Sequence, residues 1–423
     1  MPIAPPSTPN EATFSRNVSR RIVPLAMSLF FAFGFCTVLV NDTLAPKLRV
    51  LFELNYFETA ATPFVFFSAY FLMSLPAAWM LRKFGYLQSV VVGLLLTAVG
   101  CVLFTPAANL GLYVAFMIAT FVLATGVTIV QVAANPLTTI VGDPRYSHSR
   151  LTLAQAFNSV ATMVGPIFGA HFILSKSHAL PAADSLPPEQ LATLRQEAAM
   201  ALQGPFLGIA AALVALAVVC LFFVKDSPKA GPEPGSYVKL LGNRRLLFGM
   251  FSIFTYVGAE VTIGVFLTNY LMSGHAIGVP LATAGAMVSF YWGAAMVGRF
   301  IGFVVLRRID PGVVLSVCAT GAIVLAAVSG FSSGWVAAVA ILAIGLCNSI
   351  MFPTIFTLAI EGLGDSTPKG SGLLCLAIVG GAIVPAIGGY VADHVTLTAF
   401  LIVPVICYAW IAFYGRFAKR VKA

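Results

Sequence analysis

The chain has 423 residues, a formal net charge of +9 at pH 7, 59% hydrophobic residues and only 9% charged residues. Soluble domains carry about 25% charged residues, so this composition excludes an ordinary water-soluble protein and indicates a chain surrounded by lipid. A positive charge can indicate a nucleic-acid partner, but the distribution of charge along this chain explains it without one.

Twelve apolar segments follow one another, each close to the roughly 20 residues that cross the hydrocarbon core of a bilayer. We expect membrane-spanning helices at residues 22–45, 58–81, 87–105, 111–140, 150–174, 205–224, 246–272, 281–306, 313–330, 335–360, 371–391 and 398–415. A stretch rich in Pro, Gly and charge at the middle of the chain predicts a linker.

The sequence therefore predicts an all-α membrane protein of two six-helix halves. Its expected parts are a cytoplasmic tail (1–21), an N-terminal bundle (22–224), a cytoplasmic linker (225–243), a C-terminal bundle (244–415) and a second cytoplasmic tail (416–423).

Lys and Arg residues concentrate on one side of the predicted spans. If the chain crosses the membrane at every span, 20 of the 24 Lys and Arg residues fall on the side that holds both termini. The positive-inside rule makes this side cytoplasmic. The basic charge is thereby explained, so we expect no nucleic-acid partner. The seven Cys residues lack the spacing of a metal site, and we expect no cofactor.

Short motifs recur in the two halves at nearly constant separation. LATG in the fourth span resembles LAIG in the tenth, and Pro166 with Gly169 corresponds to Pro385 with Gly388, in both cases 219 residues later. An even number of spans per copy gives both copies the same orientation, which is the parallel repeat of the major facilitator architecture. A membrane enzyme or a single-pore channel has no need of this duplication, so the repeat favours a transporter.

The first candidate site residues are Asn41 and Asp42, at the end of the first span. Asp42 taken alone is equally consistent with an interfacial residue at the outer helix end and with a functional carboxylate. A charge deep in the bilayer costs about 2.5–3.5 kcal/mol, so a retained one needs a partner, water or a function.

Two amide pairs lie on the fourth and fifth spans. Gln131 and Asn135 are four residues apart, and Gln155 and Asn158 are three apart, so each pair shares a helix face. Amides both donate and accept hydrogen bonds, which suits the hydroxyls of a sugar or polyol. Amide bonding between helices is the alternative. Two pairs on successive helices favour a solute site.

In the second half, Glu260 is the one charge near the centre of its span. It either lines a solvated cavity or is a buried carboxyl bonded to a neighbouring helix. Arg299 could reach the interface or pair with a carboxylate. Aromatic and amide side chains complete the expected sugar site, although Tyr270 and Trp292 could equally be interfacial; these candidates are Asn269, Tyr270, Tyr291, Trp292 and Asn348.

Six ordered motifs resemble one known family. They are NDTL, QVAANP, LAQAFNS, YVGAE, NSIMFPTIF and GSGLLCLAIVGGAIVP, and they run from residue 41 to 385. Together they resemble the fucose–galactose–glucose/proton symporter family of the major facilitator superfamily, and QVAANP is most similar to its glucose/galactose branch. The resemblance implies uptake of a hexose with protons across the bacterial inner membrane.

The resemblance also implies roles for single residues. The first-helix Asp that carries proton coupling in the L-fucose branch matches Asp42, and the fourth-helix Glu of that branch matches Gln131. An amide cannot titrate, so a two-carboxylate scheme fails in this chain. Gln155 and Asn158 match the polar pair of the fifth helix, and Glu260 matches a Glu of the glucose/galactose branch.

The expected mechanism is alternating access of two halves around a hexose site, with Asp42 as the proton carrier and Glu260 as the second candidate. The alternatives are a facilitative uniporter, a sodium-coupled symporter that uses Asp42 and Gln131 as oxygen ligands, and a membrane enzyme. The scattered histidines disfavour the enzyme. The expected partners are a sugar and the lipid bilayer, and the expected state is a monomer.

Overall fold

The computed structural model describes residues 16–44, 47–48, 51–52, 61–168, 172, 200, 202–226 and 237–422. Within these ranges the side chains of residues 16–20, 42, 43, 166, 226, 281, 282 and 420–422 are outside the description. The carboxyl group of Asp42, the first part of the predicted N-terminal tail and most of the predicted linker therefore lie outside the described residues.

The described residues form helices joined by turns, without a strand. The twelve long helices are α1 (Arg16–Val38, continued by the π-helical turn Leu39–Leu44), α2 (Ala61–Phe84), α3 (Tyr86–Leu110), α4 (Tyr113–Ile140), α5 (Ser147–Phe168), α6 (Gln203–Phe223), α7 (Arg244–Met272), α8 (Leu281–Val305), α9 (Pro311–Phe331), α10 (Gly334–Asn348 and Met351–Ile360), α11 (Thr367–Leu376 and Gly380–His394) and α12 (Ile402–Lys422).

Eleven of these helices, all except α5, are long and apolar enough to cross a membrane when the described residues are searched. Helix α5 has 22 residues, which at 1.5 Å per residue is about 33 Å and also spans the hydrocarbon core. Its lower apolarity reflects polar residues along its length, such as Gln155, Asn158 and Ser159. The helices agree with the twelve predicted spans.

The packing of the helices repeats between the halves. In the N-terminal half α1 packs against α5, α2 against α4, and α3 against α4 and α6. Six helices later, α7 packs against α11, α8 against α10, and α9 against α10 and α12. The halves contact each other through α2 with α11 and through α5 with α8. Exchanging each helix for its counterpart in the other half converts one pair into the other, so the two pairs are equivalent. This arrangement is the pseudo-twofold that the sequence repeat predicted.

The halves are fastened together at one end. We call the end at which α1 begins and α12 ends the inner end. Ser149 of α5 donates its hydroxyl to the Phe303 carbonyl of α8 at 2.6 Å, and Ser371 of α11 donates to the Val132 carbonyl of α4 at 2.7 Å. Six hydrogen bonds between described residues of the two halves lie in the inner half or the centre of the helices. The inner end is therefore closed.

Glycines allow this close helix packing. A Cβ on Gly380 of α11 would lie 2.1 Å from the Phe254 carbonyl oxygen of α7, and one on Gly372 would lie 2.6 Å from the Ala78 side chain of α2. A side chain at either position would force the helices apart. The glycine-rich eleventh span is thus a packing surface, both within its half and against the other half.

Candidate functional site

A break in α10 places polar atoms at the centre of the C-terminal half. The helix stops at Asn348 and resumes at Met351. The Asn348 carbonyl oxygen lies 3.2 Å from the Tyr256 hydroxyl of α7, and the Asn348 amide nitrogen donates to the Tyr291 hydroxyl of α8 at 2.7 Å. Non-helical backbone at membrane depth is tolerated where protein or a cavity satisfies it, and here the Tyr256 hydroxyl contacts the Asn348 carbonyl.

Glu260 joins this cluster through its own helix. Tyr256 lies one turn earlier on α7 and donates its hydroxyl to Glu260 Oε1 at 2.7 Å. The Glu260 side chain is partly exposed, although Tyr256, Tyr291 and Asn348 around it are fully buried. A partly exposed carboxyl near the centre of a membrane helix is typical of a group that lines a cavity.

Trp292 forms an aromatic wall next to the cluster. Its ring makes an edge contact with Tyr291, with centroids 5.1 Å apart, and it lies against Gly264 of α7, where a Cβ would meet it at 3.5 Å. Gly264 is one turn beyond Glu260 on the same helix. The Trp292 ring and the Glu260 carboxyl therefore border one region between α7 and α8.

Two buried groups of the cluster have unused hydrogen-bonding capacity. Asn348 Oδ1 and the Tyr408 hydroxyl of α12 make no hydrogen bond of normal length and angle with a described group. Both side chains are fully buried and lie next to each other. An unsatisfied buried polar group costs about 1–3 kcal/mol, so a ligand hydroxyl that reached these atoms would recover that cost.

The N-terminal half contributes amides on α4. The Tyr70 hydroxyl of α2 donates to Gln131 Oε1 at 2.8 Å, and this contact holds the Gln131 amide in one orientation. Asn135 is fully buried, and neither amide atom makes a hydrogen bond with a described group. The Cys375 side chain of α11 is close enough to Asn135 to interact with it. Asn135 thus lies at the boundary between the halves.

The amides of α1 and α5 are partly committed to helix contacts. Asn158 donates to the Phe30 carbonyl of α1 at 3.1 Å, and Gly34 leaves the space through which this amide passes. Asn41 donates to the Thr37 carbonyl one turn earlier at 2.8 Å, while its Oδ1 has no partner among the described groups. Asn158 therefore makes the bond between helices that the sequence left as one alternative, and its contact with a sugar stays a prediction.

The two halves are joined at the level of the cluster by Arg299. The guanidinium donates to the Ser349 carbonyl in the break of α10 at 3.1 Å, and on α5 to the Gln155 carbonyl at 3.1 Å and to the Ser159 hydroxyl. The sequence left two possibilities open for Arg299. It does not pair with a carboxylate of the described residues, and its buried side chain does not reach the membrane interface. Arg299 instead binds neutral oxygen atoms.

Two predicted site residues lie elsewhere. The Tyr270 hydroxyl is bonded to the carbonyl and hydroxyl oxygens of Ser329, both at 2.7 Å, and its ring edge contacts His275. Asn269 is exposed. Both lie at the outer end of α7, more than two turns from Glu260, where Tyr270 ties α7 to α9.

Tyr70, Tyr256 and Tyr408 were not among the predicted site residues. Tyr256 had a sequence signal, because its position four residues before Glu260 puts both on one helix face. Tyr70 and Tyr408 had none, since each joins the polar residues only through contacts between helices.

A cleft of about 910 Å³ lies apart from this site, between α1, α5 and α6. Its lining is apolar and includes Phe31, Phe35, Phe157 and Phe168. It faces the lipid side of the N-terminal half and brings together none of the predicted site residues.

Comparison with known proteins identifies this architecture. The family model of the Major Facilitator Superfamily matches residues 24–377. The chain belongs to the major facilitator superfamily. The glucose/galactose transporter of Brucella abortus (strain 2308) is 46% identical over 414 residues, which is 97% of this chain and 97% of that protein. The L-fucose-proton symporter of Escherichia coli (strain K12) is 31% identical over 416 residues, which is 94% of each.

Solved structures agree with this assignment. The crystal structure of the major facilitator transporter FucP in the outward conformation has a TM-score of 0.86 and 29% sequence identity, and the match covers 95% of this chain and 99% of that one. The closed inner end described above agrees with an outward conformation. The predicted fold and the predicted fucose–galactose–glucose/proton symporter family are confirmed, and this major facilitator protein is a transporter, not an enzyme.

Proposed function

We propose that this major facilitator protein takes up a hexose of the glucose or galactose type by proton symport across the bacterial inner membrane. One observation carries the proposal: a protein named glucose/galactose transporter shares 46% identity with it over 97% of both chains. The similarity to an L-fucose-proton symporter supports the proton as coupling ion. The excess of Lys and Arg on one side supports cytoplasmic termini.

The chemistry of the candidate site suits a sugar. Its described side chains are amides, tyrosines, one tryptophan and one carboxyl, which can bind hydroxyls and stack on the C–H face of a pyranose. Asn135, Asn348 and Tyr408 are buried with unused donors or acceptors. A sugar hydroxyl would supply those missing partners, and sites that bind hydroxyl groups in this way discriminate strongly among sugars.

Proton coupling in this proposal uses Asp42 or Glu260. The backbone of Asp42 lies in the π-helical turn at the outer end of α1, and Glu260 lies near the centre of α7. Gln131 holds the position of the second carboxylate of the fucose branch and cannot titrate. One carboxyl then binds the proton from outside, and its neutral form permits the loaded carrier to reorient.

The available driving force is sufficient for uptake. At ~150 mV, the inward movement of one charge contributes about 3.5 kcal/mol. At ~1.36 kcal/mol per decade this supports an accumulation of a few hundredfold, before any pH gradient is added.

The test uses the full-length protein in proteoliposomes with an imposed membrane potential. We expect glucose or galactose to be accumulated and to make the external medium more alkaline in a sodium-free buffer. Uptake without a pH change would identify a uniporter, and uptake only with sodium would identify a sodium symporter. Absence of binding and uptake across glucose, galactose, fucose, mannose and N-acetylglucosamine would reject the hexose assignment.

A further inference from the structure

Arg299 is a buried cation between the two halves. Only 7% of its surface is exposed, and its three described partners are the carbonyl of Ser349, the carbonyl of Gln155 and the hydroxyl of Ser159. No carboxylate of the described residues lies within ion-pair distance. A buried charge that has only neutral partners is costly, so its position depends on a compensating charge nearby.

Glu260 is the described acid whose charge reaches Arg299. Polar contacts and one peptide unit of the break in α10 connect the two groups: Glu260 accepts from Tyr256, and Tyr256 also contacts the Asn348 carbonyl. The next residue in the break of α10, Ser349, accepts from Arg299. One continuous path therefore leads from a carboxyl in the C-terminal cluster to the contact with α5.

The contact with α5 belongs to the closed inner end. Gln155 and Ser159 are on the same helix as Ser149, which is bonded to α8 nearer the inner end. Opening that end requires α5 to separate from α8, and this separation removes two of the three described hydrogen bonds of Arg299. An ionised Glu260 offsets the charge of Arg299 while Arg299 is buried in the closed state, whereas a neutral Glu260 leaves that charge uncompensated.

We propose that Arg299 is a positioning residue that holds the inner end closed while Glu260 is ionised and releases it when Glu260 is protonated. Among the described residues, the charged and titratable groups that face Glu260 are Tyr256 on the same helix, Tyr291 and Arg299 on α8, and Tyr408 on α12. Arg299 is the one cation in this set. The inference rests on the proposed function, because it assigns the proton a structural effect within the transport cycle.

The opening of the inner end can be measured with a cysteine at Thr152. This residue is buried on α5 between Gln155 and the inner end, and it faces Gly302 of α8. In Thr152→Cys, a membrane-impermeant maleimide applied to the inner side reports the opening. Vesicles of both orientations identify that side. The chain without this substitution gives the background from its seven native cysteines.

We expect Arg299→Gln to increase the labelling rate about tenfold, the factor that corresponds to one hydrogen bond to a charged group. Ser159→Ala, which removes one partner of Arg299, should increase the rate about threefold. Glu260→Gln, which imitates the protonated carboxyl, should also increase it. Combined with Arg299→Gln, it should have no further effect, because its influence passes through Arg299.

Two matched controls remove similar contacts within one half. Arg245→Gln breaks the ion pair of Arg245 with Glu361, and Ser316→Ala removes a hydroxyl bonded to the Ala412 carbonyl. Neither should change the labelling rate. Arg299→Lys keeps the positive charge but has fewer hydrogen-bond donors, so it should also raise the labelling rate. It is measured in addition in case Arg299→Gln does not fold.

Two results would overturn the inference. One is an unchanged labelling rate in folded Arg299→Gln or Arg299→Lys. The other is a full effect of Glu260→Gln in the Arg299→Gln background. The labelling assay needs no sugar, so a failure of hexose transport would be recognised separately. Because maleimide reacts with the thiolate, the rate in Thr152→Cys is compared at each pH with the rate in Thr152→Cys combined with Glu260→Gln. The ratio of the first rate to the second should rise towards one as the pH falls.

Discussion

The two halves share one helix packing, but they supply different chemistry to the candidate site. The described site residues of the N-terminal half are amides on α1, α4 and α5, held by contacts such as Tyr70 with Gln131. The C-terminal half supplies Glu260, Arg299 and a group of tyrosines around the break in α10. The two copies thus share one helix arrangement, while the charged site residues whose side chains are described lie in the C-terminal copy.

This difference suggests a division of tasks. Neutral amides bind sugar hydroxyls without responding to protons, whereas a carboxyl and a guanidinium respond to charge. If Glu260 is the group that senses protons, the C-terminal half couples transport and the N-terminal half mainly binds. If Asp42 is that group, the division fails, because the coupling carboxyl is then on α1.

The largest expected effect distinguishes these two carboxyls. If Asp42 carries the proton, sugar counterflow in Asp42→Asn should persist while accumulation falls from roughly a few hundredfold to equilibration, because a permanent amide cannot carry a proton. Potential-driven uptake and counterflow in the same proteoliposomes measure both properties. Normal accumulation in Asp42→Asn, together with its loss in Glu260→Gln, would assign coupling to the C-terminal half.

The next largest effect concerns the break in α10. Asn348→Ala removes the donor to Tyr291 and the free Oδ1, so we expect kcat/KM for uptake to fall by about 10-fold to 100-fold. Initial rates over a range of sugar concentrations give this value. Gln203→Ala is a suitable control, since its amide bonds to Asn109 outside the cluster. Unchanged kinetics in Asn348→Ala would place the sugar away from α10.

A smaller effect is expected in the N-terminal half. Tyr70→Phe leaves Gln131 Oε1 without its donor, and a reoriented amide should weaken sugar binding about fivefold, which is close to the net value of one hydrogen bond. Binding to purified protein measures this change directly. Accumulation at saturating sugar should persist, because Tyr70→Phe alters no charge. Loss of accumulation would show that this half also takes part in coupling.

The smallest effect tests the outer end of α7. Tyr270→Phe removes the hydrogen bonds to Ser329, so thermal stability should decrease by about 1 kcal/mol. The KM for sugar should stay within about twofold of the wild-type value, since Tyr270 packs between α7 and α9 outside the cluster. A large increase in KM would show that Tyr270 contributes to sugar binding.

Much of the architecture follows from local chemistry that is legible in the sequence. Apolar runs of membrane length predict helices, because a lipid environment leaves a spanning segment few other ways to satisfy its backbone. The repeat predicts matching halves, and helix periodicity places Gln131 with Asn135 on one face. The six motifs predict the family. Asp42, whose carboxyl group is outside the described residues, stays a prediction.

What only the tertiary structure decided concerns partners on other helices. Periodicity shows which face a residue shares, but it contains no information on which helix packs against that face. The choice of Gln155, Ser159 and Ser349 as partners of Arg299 depends on how α5, α8 and α10 meet. For the same reason, the sequence did not distinguish the roles of two tyrosines on α7. Tyr270 stabilises the outer end, whereas Tyr256 contacts the carboxyl at the centre.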